Sequence, residues 1–216
     1  MELLLIRHAL PVRRELESGA ADPELSEDGL AQAQHLGAYL SSEHLDAVYA
    51  SSMQRARQTA VPVAAARDLE VVLRDGITEF DRFSSEYVPV EELKAANDPR
   101  WQQMLDGVWD GDESQEAFTG RTIAAIEEII ATHAGQRVAV VCHGGVINAY
   151  LSSIMGLAGD PDTGGGGGGG RGFFYPNYTS IHRVAASSRG DRSVITINET
   201  SHLRNTGLPM GLFQKG

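Results

Sequence analysis

A chain of 216 residues, 42% hydrophobic and 22% charged, carries enough apolar side chains for one sizeable core and has the make-up of an ordinary globular protein. A formal charge of −11 excludes a broad nucleic-acid surface, which needs clustered Lys and Arg, yet allows a few buried arginines around a small anion. The single cysteine, Cys142, excludes an intrachain disulfide and a multi-cysteine zinc site. No apolar run approaches 18 residues, and the opening MELLLIRHAL lacks the basic region and core of a signal peptide. The expected setting is cytoplasmic, with neither membrane nor nucleic acid as partner; a homodimer is compatible with these features.

Leu3 to Ile6 is a short continuous apolar run, the pattern of a parallel strand buried on both faces. Ser26 caps an expected helix with Glu27 and Asp28 in its first turn and Leu30, Ala33, Leu36, Gly37 and Leu40 on one face. A strand over Asp46 to Ala50 leads through Ser51 or Ser52 into a helix with Met53, Ala56 and Ala60, which Pro62 should kink or shorten. A third strand, a similar run of the buried kind, follows at Glu70 to Leu73. A helix from about Ser114 to His133 carries Phe118, Ile123, Ile126, Ile129 and Ile130. The strand Arg137 to Cys142 runs into a helix with Val146, Ile147, Tyr150, Leu151 and Ile154, placed to end at Gly156.

Strands alternating with helices predict an α/β fold: a three-layer α/β/α sandwich around a mostly parallel central sheet. Tyr178 to Val184 and Ser193 to Ile197, joined by Ser-Ser-Arg-Gly-Asp, add an antiparallel edge hairpin. The whole chain, 1–216, reads as a single domain with an irregular helical insertion at about 79–112. A Gly-rich loop at 159–172, with seven consecutive glycines at 164–170, reads as a flexible surface connection or a mobile lid. It is no P-loop, because neither Lys-Ser nor Lys-Thr follows it.

Ligands of open parallel sheets sit beyond the carboxyl ends of the strands. Ile6 runs into Arg7-His8 and Cys142 into His143-Gly144-Gly145, so both imidazoles emerge on one rim. His143 and Gly144 also open a helix, where free N–H groups and the macrodipole favour an anion. Arg55 and Arg57 lie in the first turns of another helix, an unfavourable place for cations unless an anion is near; two residues apart they cannot share a face. Arg55 is assigned inward and Arg57 outward. This is a phosphate site with one imidazole free to attack phosphorus.

The string Leu5-Ile6-Arg7-His8, the segment from Asp22 to Ala33, the Arg55 segment and Val141-Cys142-His143-Gly144-Gly145 occur in that order. Together they resemble the histidine phosphatase superfamily, which includes cofactor-dependent phosphoglycerate mutases and small-molecule phosphatases. Asn177 to Ile181 and Asn198 to Leu203 are similar to late segments of some members. The resemblance implies His8 as nucleophile, with Arg7, Arg55, His143 and Gly144 around the phosphoryl group and Glu79 as proton donor. Asp81 is the rival acid. Ala9 and Pro11 stand where many members have Gly and a hydroxyl residue, and Arg14 where many mutases have Asn. Arg13 and Arg14 either read a second anionic group on the substrate or are ordinary loop charges. His35, His44 and His133 read as lying on or beside surface helices and His182 on the edge hairpin; nothing in the spacing ties His202 to the site.

The function implied is a phosphatase hydrolysing a small phosphorylated metabolite through a phosphohistidine on His8, without metal or cofactor. A phosphoglycerate mutase is the alternative within the same chemistry. A non-catalytic phospho-ligand binding or regulatory protein is the alternative outside it.

Overall fold

The structure, a computed structural model, describes residues 1–105, 111, 113–157 and 174–211. The expected glycine-rich loop at 159–172 lies outside them. The main sheet has strands β1 (Glu2–Arg7), β3 (Ala47–Ser51), β4 (Val71–Arg74), β6 (Arg137–Cys142), β7 (Ile181–Ala186) and β8 (Arg192–Glu199), in the spatial order β4-β3-β6-β1-β7-β8. The first four are parallel neighbours; β7 and β8 add the antiparallel edge. A second, two-stranded sheet pairs β2 (Arg14–Glu15) with β5 (Glu86–Tyr87), followed by the short helices α3 (Val90–Ala95) and α4 (Pro99–Leu105).

Alternation along β1 explains the layers, because successive side chains of a strand point to opposite faces. Leu4 and Ile6 pack with Val48, Ala50, Ala139 and Val141 under α1 (Glu27–Leu40) and α2 (Gln54–Ala65). Leu3 and Leu5 pack with Val138, Val140 and Cys142 under α5 (Gln115–Thr132) and α6 (Gly144–Ile154). Every residue from Leu3 to Ile6 is fully buried, as a continuous apolar run in a doubly covered sheet requires.

Four local expectations are corrected. Leu30 is 49% exposed, and the buried stripe of α1 begins at Gly29 instead. A Cβ there would sit 2.0 Å from the Leu10 carbonyl oxygen, so only glycine lets α1 abut the loop after β1. Helix α2 is capped by neither Ser51 nor Ser52: the Asp22 carboxylate, from another loop, accepts from the Gln54 N–H at 2.8 Å. The helix runs through Pro62 and ends three residues later, at Ala65. Strand β4 is a half-exposed edge, with Val72 and Leu73 at 38% and 44%. The hairpin begins at Ile181, because Thr179 takes a left-handed backbone (φ +54°) that strand geometry does not allow.

Candidate active site

The nucleophile candidate is held by its own loop. Leaving β1, His8 donates its backbone N–H to the Cys142 carbonyl at 2.9 Å. Its Nδ1 lies 2.7 Å from the Ala9 carbonyl oxygen. A carbonyl only accepts, so Nδ1 carries the proton and Nε2 presents a lone pair. The Ala9 N–H is tied to Thr59 Oγ1 at 2.9 Å, and Thr59 in turn donates to the Arg55 carbonyl. Gln32 accepts from the Leu10 N–H, and the Ser26 hydroxyl both caps α1 and donates to the Leu10 carbonyl. The segment from Asp22 to Ala33 is thus the buttress of the His8 loop. Burial, then Arg55 and Arg7, push the His8 imidazolium well below its usual range, so the ring is neutral at pH 7.

His143 faces it, with ring centroids 5.1 Å apart. Its Nε2 meets Ser51 Oγ at 2.8 Å, while Nδ1 is buried without a partner among the described residues. Burial, followed by Arg55, His8 and Arg7, keeps this ring neutral too. Arg7 donates from Nη1 to the Pro176 carbonyl at 2.6 Å and lies over the Tyr178 ring, 4.2 Å from guanidinium carbon to centroid. Its Nε has no partner among the described residues. Arg55 is 1% exposed, lies over the Tyr87 ring at 4.7 Å, and leaves Nε and Nη1 unpartnered among the described residues. Buried polar groups normally find partners, so the open nitrogens of this cluster are donors that an anion could use. Gly144 opens α6, and its N–H has no carbonyl behind it within the helix.

Glu79 closes the site from the loop after β4. The Gly145 N–H donates to its Oε2 at 2.8 Å, and the Phe80 N–H to Oε1 at 3.2 Å. Burial first, then the Asp81 charge, raise its carboxyl to about 7, with the Gly145 hydrogen bond and Arg55 opposing. Arg121 of α5 fixes this loop by donating to the carbonyls of Gly76 and Thr78 at 3.1 and 2.8 Å. An imidazole with a free lone pair, open cationic donors and a carboxyl that titrates near neutrality can transfer a phosphoryl group.

The family model of the histidine phosphatase superfamily (branch 1) matches residues 3–161, well over half of the chain. The chain belongs to the histidine phosphatase superfamily. It is 36% identical over 165 residues to a protein of Hydrogenobacter thermophilus named phosphoserine phosphatase 1, covering 73% of this chain and 77% of that one. It is 29% identical to phosphoglycerate mutase-like protein 4 of Arabidopsis thaliana, over 68% of each chain. Among solved structures, phosphoserine phosphatase of Entamoeba histolytica in complex with phosphoserine superposes with a TM-score of 0.69 at 22% identity. That match covers 94% of this chain and 98% of the other, and at such identity it shows the shared fold.

In this histidine phosphatase Arg7, His8, Arg55, His143, Gly144 and Glu79 come together, whereas Arg57 is exposed. Arg14 is not among the gathered donors: on β2, half-exposed, it pairs with Glu24 at 2.7 Å. Arg13 is likewise exposed and pairs with Glu15 and Glu92. Ala9, where many members have Gly, is fully buried beside Leu25 and Ala33. His182 lies on the hairpin strand β7, as expected, and is buried there, 3.0 Å from Ser180 Oγ. His202 reaches the site at one remove, since its Nε2 meets Thr179 Oγ1 at 2.9 Å and Thr179 turns the chain after Tyr178. The aromatic wall was missed by sequence reasoning. Tyr175 and Tyr178 donate their hydroxyls to the two oxygens of Glu91, each at 2.9 Å, bridging α3 to the segment over Arg7. No spacing rule links residues 84 and 87 positions apart.

Proposed function

We propose that the chain is a phosphatase that hydrolyses a small phosphorylated metabolite through a phosphohistidine on His8. One observation carries this reading: a neutral, oriented His8 ring faces four unpartnered buried nitrogens of Arg7, Arg55 and His143. In the bound complex, phosphoryl oxygens take Arg7 Nε, Arg55 Nε and Nη1, His143 Nδ1 and the Gly144 N–H as donors. With the Ser51 hydroxyl donating to His143 Nε2, the proton of that neutral ring sits on Nδ1, where the anion needs it. His8 Nε2 attacks phosphorus, the ester P–O bond breaks, and Glu79 protonates the departing oxygen. Glu79, now ionised, takes a proton from water as that water attacks the phosphohistidine. Phosphate leaves and Glu79 is protonated again. A carboxyl at about 7 suits both halves of this cycle.

Hydrolysis, rather than isomerisation, is the net reaction proposed. A mutase must hold a second anionic group while the substrate turns over in the site. Here Arg13 is exposed, Arg14 is half-exposed, and both are already ion-paired. Phosphoserine is the first substrate to try, because the relative from Hydrogenobacter is named for it. The deciding experiment is rapid quenching with phosphorus-labelled substrate, which should trap an acid-labile, base-stable adduct absent from His8→Ala. An adduct and turnover that persist in His8→Ala refute the assignment. Supplying 3-phosphoglycerate with a trace of 2,3-bisphosphoglycerate then separates the two activities; isomerisation much faster than phosphate release makes the protein a mutase.

A further inference from the structure

Two carboxylates, Glu79 and Asp81, stand two residues apart, and the structure gives them different surroundings. The Glu79 carboxylate accepts from the backbone N–H groups of Gly145 and Phe80. Asp81 instead accepts from Arg55 Nη2 with both oxygens, at 2.9 and 3.3 Å. The guanidinium is therefore held at one nitrogen only, while Nε and Nη1 stay open in the pocket. We propose that Asp81 is a positioning residue that aims the open donors of Arg55 at the phosphoryl group and keeps Arg55 from pairing with Glu79. The proposal rests on the phosphatase reading above and gives Asp81 a task other than that of the acid.

The alternative that Asp81 prevents is concrete. Arg55 and Glu79 already attract each other through space. Without Asp81, Glu79 is the remaining carboxylate of this loop within reach of the Arg55 field, and a direct pair between them disables both residues. Arg55 turns its donors away from phosphate, and Glu79 is held ionised when it must carry a proton. The other groups facing Glu79 leave this balance to Asp81. From α6 comes the Gly145 N–H, from its own loop the Phe80 N–H, and from β6 the uncharged thiol of Cys142. Met53 sulfur meets its backbone N–H. Arg121 of α5 lies 3.5 Å from its carbonyl and is itself paired with Glu113. Removing the Asp81 charge and bringing Arg55 closer act in the same direction: each favours ionised Glu79 and lowers its carboxyl from about 7 toward the ordinary range.

The test is the pH–rate profile of Asp81→Asn with an alkyl phosphate. Turnover needs protonated Glu79, so its alkaline limb should move down by about one pH unit or more. The inhibition constant of inorganic phosphate should rise roughly tenfold as Arg55 loses its aim. Asp81→Glu, which keeps the charge, should keep the limb in place while weakening phosphate binding. In a Glu79→Gln background, Asp81→Asn should move no limb at all. A wild-type limb and phosphate affinity in Asp81→Asn overturn the proposal, and so does the same limb shift in both Asn and Glu variants. A dead Asp81→Asn beside an active Glu79→Gln makes Asp81 the acid and also overturns it. If the wild-type protein forms no adduct at His8, the phosphatase reading itself has failed, a result separate from all of these.

Discussion

Gly145→Ala isolates the acid without touching its chemistry. A Cβ at Gly145 would lie 2.3 Å from Glu79 Oε1, 3.0 Å from its carboxyl carbon and 3.1 Å from the Phe80 ring. Ordinary contact is about 3.5 Å, so the nearest oxygen must retreat by roughly 1 Å. What gives way is the free end of a flexible side chain, so the clash is relieved by moving the carboxyl proposed as the acid. The retreat also strains or breaks the hydrogen bond from the Gly145 N–H to Oε2. Gly145 lies in the first turn of α6 without a left-handed backbone, where alanine is the better helix former by up to about 1 kcal/mol. The fold should therefore survive while catalysis suffers. A misplacement of roughly 1 Å costs on the order of 10²-fold in rate. The expected outcome is that loss in kcat with an alkyl phosphate, a much smaller loss with a nitrophenyl phosphate, and a Tm close to that of the parent. The nitrophenolate leaves without a proton, which is why the two esters must part. Equal losses on both, or none on the alkyl ester, would refute Glu79 as donor.

Three further outcomes are expected. The proposed phosphoryl grip consists of Arg and His nitrogens with the Gly144 N–H, and among the described residues no group of three metal-binding side chains gathers. Activity should then survive EDTA and be inhibited by vanadate, an imitation of pentacoordinate phosphorus; loss in EDTA restored by a divalent ion refutes this. Arg14→Ala removes one partner of a half-exposed ion pair, worth at most about 1 kcal/mol, so Tm and turnover of a nitrophenyl ester should hardly change. A large loss confined to substrates with a second anionic group would restore Arg14 as a specificity residue. Burial lowers His182 and His202 to about 4, below the ordinary value of 6.5. The unfolded chain therefore binds more protons between these values, and stability falls as pH drops from about 6.5 to about 4. At pH 5 the loss should be on the order of 2 kcal/mol per histidine, read by urea unfolding at pH 7 and pH 5; equal stabilities at both refute it.

What the sequence discloses and what it hides divide along one physical line. Leu3 to Ile6 and Val138 to Cys142 announce buried parallel strands because continuous apolar runs have few other uses, and their ends place Arg7, His8 and His143. Ser26 and Ser114 announce helix starts because capping is a contact between near neighbours. Asp22 capping α2, Asp81 holding Arg55 and Glu91 gathering two tyrosines are contacts across 26 to 87 positions, which no periodicity encodes. Even the misplaced start of α2 follows this rule. Ser51 looks like a cap by its type and position, but its hydroxyl is spent on His143, 92 residues away. Leu30 was misjudged for a similar reason, since the close approach of the Leu10 backbone decides which face of α1 turns inward.

The site faces a physical problem: it buries Arg7 and Arg55 beside two neutral imidazoles and leaves much of their hydrogen-bonding capacity open. Pairing each arginine fully with carboxylates would relieve that cost and ruin the site, since a substrate would then have to break ion pairs to enter. Aromatic faces offer another solution. Tyr178 and Tyr175 lie against the Arg7 guanidinium and Tyr87 against that of Arg55. A ring face attracts a cation from above its plane, whereas guanidinium N–H groups point within theirs. The cation is stabilised and its in-plane donors stay available. Glu91 adds negative field near Arg7 while its own oxygens are occupied by the two tyrosine hydroxyls. Asp81 takes a single nitrogen of Arg55. On the proposed reading, a phosphoryl dianion can then meet its donors without displacing a protein anion, and those preorganised donors face the charge spread over its equatorial oxygens in the transition state.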